Sequence, residues 1–93
     1  MTNPTAEFGR RLQSAIDLVE RRLATETNPA RRSRYEVIAK NLTGFQLSFR
    51  SGGTPPVGGG LGFGASRALS EWDFDDLEVA QAVNDAESFY RHG

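Results

Sequence analysis

The sequence contains no cysteine, one lysine (Lys40), one histidine (His92) and one tryptophan (Trp72). Without cysteine there are no disulfides and no thiolate metal sites, which suits a reducing compartment. A lone histidine beside the C-terminal glycine leaves no partner for a Ser-His-Asp triad or a histidine metal cluster. No stretch approaches the 18 or so apolar residues of a membrane span, and the N-terminal Met-Thr-Asn-Pro-Thr-Ala-Glu-Phe has no basic segment followed by an apolar run. The expectation is a cytoplasmic protein without membrane attachment. Lysine is scarce where arginine is not: ten arginines accompany Lys40, a bias common in GC-rich bacterial genomes and their phages.

What is abundant is glycine, and it is concentrated. Seven of the ten glycines fall in Ser51–Gly64, which reads SGGTPPVGGGLGFG. No regular helix or central strand can run through that segment, so it divides the chain. Charge divides at the same place. Residues 1–50 carry nine Arg/Lys and five Asp/Glu, a net +4, whereas 51–93 carry two and seven, a net −5. The organisation expected is one small domain in three parts: a basic segment 1–50, the Gly/Pro-rich loop 51–64 and an acidic segment 65–93. The charge split suits halves that fold onto each other within one chain or between copies.

Residues 4–25 read as a helix. Asn3 can cap it, Pro4 fits the first helical position, and Glu7 sits where the helix dipole favours an acid. Phe8, Leu12, Ala15, Ile16, Val19 and Leu23 recur at three and four residues and form one apolar stripe. Asn28-Pro29 repeats the start signal and predicts a second helix over about 29–50, with Tyr35, Ile38, Leu42, Phe45 and Phe49 as its apolar seam. Gly44 opposes that helix, and Phe45–Phe49 also alternates as a strand would. An α+β alternative therefore has a short hairpin at 45–63. Beyond the loop, Ala65–Leu69 suits a helical turn, and Ser70–Asp73 resembles a capping box for a third helix over about 73–91. Val79, Val83, Ala86 and Tyr90 are its inner face, and Trp72, Phe74 and Leu77 are expected to cover the open end of the hairpin. The fold class expected is all-α, a helical hairpin plus a C-terminal helix reached by a Gly/Pro-rich crossover. Length and hairpin resemble the small secreted WXG proteins of actinobacteria. Their defining Trp-x-Gly turn is replaced here by Thr25–Asn28, so the chain is assigned to no family.

The Gly-rich loop invites comparison with phosphate-binding loops. A P-loop needs a lysine after its last glycine, and none follows here. Gly60–Ala65 matches a loose dinucleotide pattern, but the chain is too short for the βαβ unit that pattern requires. A simpler possibility is an anion held by the amides of Gly58–Gly64 with Arg67 nearby. The acids Asp73, Asp75, Asp76 and Glu78 lack the spacing of a calcium loop and suit the first turn of a helix. No catalytic residue, metal ligand or cofactor is expected, and the chain is read as a non-enzyme.

Two functional readings follow. In the first, the chain is a protein-interaction module, a bacterial or phage regulator, inhibitor or assembly subunit that binds another protein or itself as a homo-oligomer. Leu61, Phe63 and Trp72 are its apolar anchors, with Arg11 and Arg22 setting orientation. The alternative is nucleotide or nucleic-acid binding, with Arg10, Arg11, Arg21 and Arg22 aligned along the first helix and Arg67 after the loop.

Overall fold

The computed structural model describes residues 3–71 and 75–93. Among these, four helices and no strand are present: α1 (Pro4–Thr25), α2 (Pro29–Arg50), α3 (Ala65–Glu71) and α4 (Leu77–His92). The fold is all-α, and the α+β alternative over 45–63 is not adopted. The two long helices start where the Asn-Pro pairs stand. Asn3 Oδ1 accepts from the Thr5 amide at 2.8 Å, and Asn28 Oδ1 accepts from Ala30 and Arg31 at 3.0 and 3.2 Å. Each proline occupies a position whose amide has no helical partner to lose.

Helix persists through Phe45–Phe49 because the apolar residues there follow the helical period. Phe45 and Phe49 turn toward the core while Leu47 between them is 72% exposed. A half-buried strand would have placed all three on one face.

α1 is the central element, packed against α2 on one side and α4 on the other, while α3 touches α4 and α2. The core joins Phe8, Leu12, Ala15, Ile16, Leu18 and Val19 to Tyr35, Ile38 and Leu42 of α2 and to Val79, Val83, Ala86 and Tyr90 of α4. Leu18 lies outside the expected stripe and is buried because α1 has two neighbours rather than one. At one end of the core the rings of Phe8, Phe45, Phe49, Phe63 and Tyr90 interlock. Phe8 meets Phe49 edge to face at 4.9 Å between centroids, and Phe45 meets Phe63 at 4.7 Å. Such pairs add about 0.5–1.5 kcal/mol each to the burial they accompany.

The C-terminal helix begins later than its sequence predicts. Ser70 lies inside α3 and is no cap for it; Asp76 is the cap, its Oδ1 accepting from the Val79 amide at 3.2 Å. Leu77 is 77% exposed and covers nothing in the hairpin. Trp72, Asp73 and Phe74 lie outside the described residues.

Candidate functional site

Two carboxylates of α4 are buried, one at each end of the helix: Asp76 at 9% and Glu87 at 3% exposure. A buried charge is costly unless paired, so these are the first places to look for chemistry. Both are fully engaged within the chain.

Asp76 Oδ2 accepts from the Tyr35 hydroxyl at 2.5 Å and from Arg22 Nε at 3.0 Å. Arg22 also meets Glu78 through Nη2, and Arg31 Nη2 lies 3.2 Å from Asp75 Oδ1. The acidic start of α4 is thus fastened to the basic hairpin by side chains of both α1 and α2. Burial alone raises the carboxyl pKa of Asp76, but the hydrogen bonds from Tyr35, Val79 and Arg22 outweigh it and hold the group below its ordinary value. The same burial, together with the Asp76 charge, pushes the Tyr35 phenol up.

Glu87 explains the Gly-rich loop. Its Oε2 accepts from the amides of Phe63 and Gly64, the latter at 2.7 Å, and its Oε1 accepts from the Ser66 amide at 2.9 Å. Desolvation again raises the pKa, and the amides of Ser66, Gly64 and Phe63 overcome it, leaving Glu87 below the carboxylate norm. Of the amides over 58–64 expected to face an anion, those of Phe63 and Gly64 are taken by the chain's own Glu87. The loop also caps the far end of α4. Gly58 and Gly60 donate their amides to the carbonyls of Tyr90 and Arg91 at 2.7 and 2.9 Å, and Tyr90 Oη donates to the Pro55 carbonyl at 2.5 Å. These bonds satisfy helix-terminal acceptors that would otherwise face water. Gly58 and Gly60 take φ of 87° and 79°, the left-handed region that glycine enters without strain. Gly62 is glycine for a different reason: a Cβ there would stand 2.5 Å from both Glu87 Oε2 and Arg91 Nη2.

The residues expected to bind a partner are thereby placed, apart from Trp72, which lies outside the described residues. Phe63 turns inward onto Phe8, Phe45 and Tyr90, whereas Leu61, two residues earlier, is 55% exposed. Arg11 lies 4.6 Å over the Phe89 ring and bonds Glu7, which also takes Arg10. Arg22 is held by Asp76 and Glu78. Arg21 is exposed on α1, and Arg67 is exposed on α3. The arginine doublets therefore do not form one open cationic stripe. Sequence reasoning misses Glu87, whose signal is its place beside Ala86 on the buried face of α4.

α1 and α2 also form a groove on their outer side, about 460 Å³ in volume and lined by Glu20 and Leu23 on one side and Glu36, Val37, Lys40 and Thr43 on the other. Val37 is 48% exposed, and Leu47 continues the same side of α2 one turn beyond Thr43. Between them Gly44 is exposed, and a Cβ built on it meets nothing within 4 Å among the described residues.

Among the described residues no group of three or more His, Cys, Asp or Glu is placed to hold a metal ion, and no helix is long and apolar enough to cross a membrane. Comparison with protein-family models, curated proteins and solved structures gives no match, so every assignment of a role rests on the geometry above.

Proposed function

We propose that the chain is a small non-enzymatic protein-interaction module of the cytoplasm, a regulator, inhibitor or assembly subunit that engages another protein through the outward side of α2. One observation carries this reading: Val37 and Leu47 flank an exposed helical glycine that neither the backbone conformation nor any neighbour among the described residues requires. Glycine inside a helix costs about 0.5–1 kcal/mol relative to alanine. A bare Cα between two exposed apolar side chains lets another helix approach closely, and the groove beside it suits the apolar face of an amphipathic partner helix. Leu61, exposed on the loop, is a secondary anchor.

Binding of nucleotides or nucleic acid is the weaker reading. It rests on Arg10, Arg11, Arg21, Arg22 and Arg67, and three of these, Arg10, Arg11 and Arg22, face carboxylates of their own chain. Of the loop amides it would use, those of Phe63 and Gly64 are committed to Glu87 and those of Gly58 and Gly60 to the carbonyls of Tyr90 and Arg91.

A photo-crosslinking residue at position 47, compared with one at exposed Asp17, tests the proposal in extracts of the native source. The expected result is a discrete crosslinked protein from position 47 that disappears with Val37→Asp. Equal, diffuse labelling from both positions would overturn it.

A further inference from the structure

The Gly-rich segment is not shared evenly between the halves it joins. Its first residues belong to α2: the amides of Ser51, Gly52 and Gly53 donate back to Leu47, Phe49 and Ser48 at 3.1, 3.2 and 2.8 Å. From Pro55 onward its hydrogen bonds go to α4 or, in the case of Gly59 to Pro56, stay within the loop. The Pro55 carbonyl takes Tyr90 Oη, Gly58 and Gly60 donate to Tyr90 and Arg91, and Phe63, Gly64 and Ser66 donate to Glu87. The boundary falls at Thr54. On one side stands the hairpin, 3–53, and on the other a unit of strap, α3 and α4, 55–93.

The contacts across that boundary have a uniform character. Among the described residues no backbone–backbone hydrogen bond crosses it. What crosses is side-chain packing, with the rings of Phe8, Phe45 and Phe49 against Phe63 and Tyr90 and the Arg11 guanidinium over Phe89, plus bonds between side chains: Tyr35 and Arg22 to Asp76, Arg22 to Glu78, Arg31 to Asp75. This is how two separate molecules meet, with an apolar centre and charged groups around it. The hairpin's inner face is also matched in charge to this one unit, arginines opposite acids.

We propose that residues 55–93 are exchangeable: two copies of the chain trade these units, so that each hairpin receives α3, α4 and the strap of the other copy. Every contact across the boundary and every hydrogen bond inside the unit is retained in the exchanged dimer. Only the hinge changes, and it is built for change, since Gly52 sits at φ 79° with open space around it, next to Gly53 and Thr54. Exchange of identical elements is a low-cost route to a dimer because it reuses an existing interface. The inference does not depend on the outward side of α2.

The test uses the full chain. Deleting Gly52, Gly53 and Thr54 joins Ser51 directly to Pro55 and removes the turn at φ 79° by which the unit folds back on its own hairpin, so light scattering should give twice the monomer mass, with helical circular dichroism per residue unchanged. Lengthening the hinge with a short Gly-Ser insert after Gly53 should favour the monomer. A second measurement guards against a deletion that merely fails to fold. Tagged and untagged wild-type chains are unfolded together and refolded at high concentration; mixed pairs should be captured, and should be absent after refolding in strong dilution. Val37→Asp in both copies should leave these pairs intact, which separates exchange from adhesion through the outer side of α2. A hinge-deleted chain that is a folded monomer, an absence of mixed pairs at every concentration, or loss of the pairs with Val37→Asp would each overturn the proposal.

Discussion

Tyr35 and Asp76 stand 41 residues apart in sequence and share a buried 2.5 Å hydrogen bond, so the middle of the basic hairpin and the cap of the acidic helix are one structural feature. The same aspartate caps α4, pairs with Arg22 and receives the phenol. Tyr35→Phe removes one donor and leaves the ring in place. It should lower the free energy of unfolding by about 1.5–3 kcal/mol, the range for a hydrogen bond to a charged group. Urea denaturation checks this; a loss below a few tenths of a kcal/mol would mean the bond contributes nothing net.

Glu87→Gln should be the more damaging single change outside the apolar core. The glutamine NH2 replaces one carboxylate oxygen and turns a donor toward amides that are themselves donors. A cost of about 2–4 kcal/mol is expected, together with faster hydrogen exchange at the amides of Phe63, Gly64 and Ser66. Unchanged protection at those three amides would show that Glu87 does not hold the strap.

Acid should loosen the fold at both ends of α4. Asp76 and Glu87 both have folded-state pKa values below their ordinary ones. Their stabilisation is therefore complete above the unfolded-state values near pH 4 and is lost as pH falls through the folded values beneath them. Thermal melts should accordingly be flat in this respect near neutrality and fall steeply below about pH 4. In Glu87→Gln that fall should be shallower, because one of the two groups no longer titrates.

The glycines should separate by mechanism. Gly44→Ala meets nothing and should stabilise the isolated protein by about 0.5–1 kcal/mol. Gly62→Ala places a methyl against a Glu87 carboxylate that three amides hold still, and should cost about 1–3 kcal/mol. Equal effects at the two sites, read by thermal melting, would contradict the packing described for the strap.

Much of this architecture is legible in the sequence. Asn3-Pro4 and Asn28-Pro29 mark both helix starts, and the residues that recur at three and four from Phe8 and from Tyr35 are the ones that line the core. Less was legible where one residue serves several distant partners. Ser70–Asp73 satisfies the spacing of a capping box, yet Asp76 is the better cap because its carboxylate is also wanted by Tyr35 and Arg22. Phe63 looks like a loop residue available for binding until Phe8, Phe45 and Tyr90 are seen to surround it. The arginine doublets look like an open stripe until Glu7, Asp76 and Glu78 are placed beside them. Periodicity reports which face of a helix is buried; it does not report which charges will meet across 54 residues of chain, as Arg22 and Asp76 do.

The central position of α1 has a kinetic consequence. Its packing on α2 closes a three-residue turn, whereas its packing on α4 brings together residues such as Phe8 and Tyr90 from opposite ends of the sequence. Loop closure over that span is entropically expensive before any contact rewards it, which places hairpin formation early and α4 docking late. A destabilising change in the hairpin, Ile38→Val, should then slow folding, whereas Val83→Ala on α4 should chiefly speed unfolding, as stopped-flow kinetics on the two variants would show. Until α4 arrives, the first helix waits with one apolar side uncovered, and the time it waits is set by the length of chain that must be gathered in.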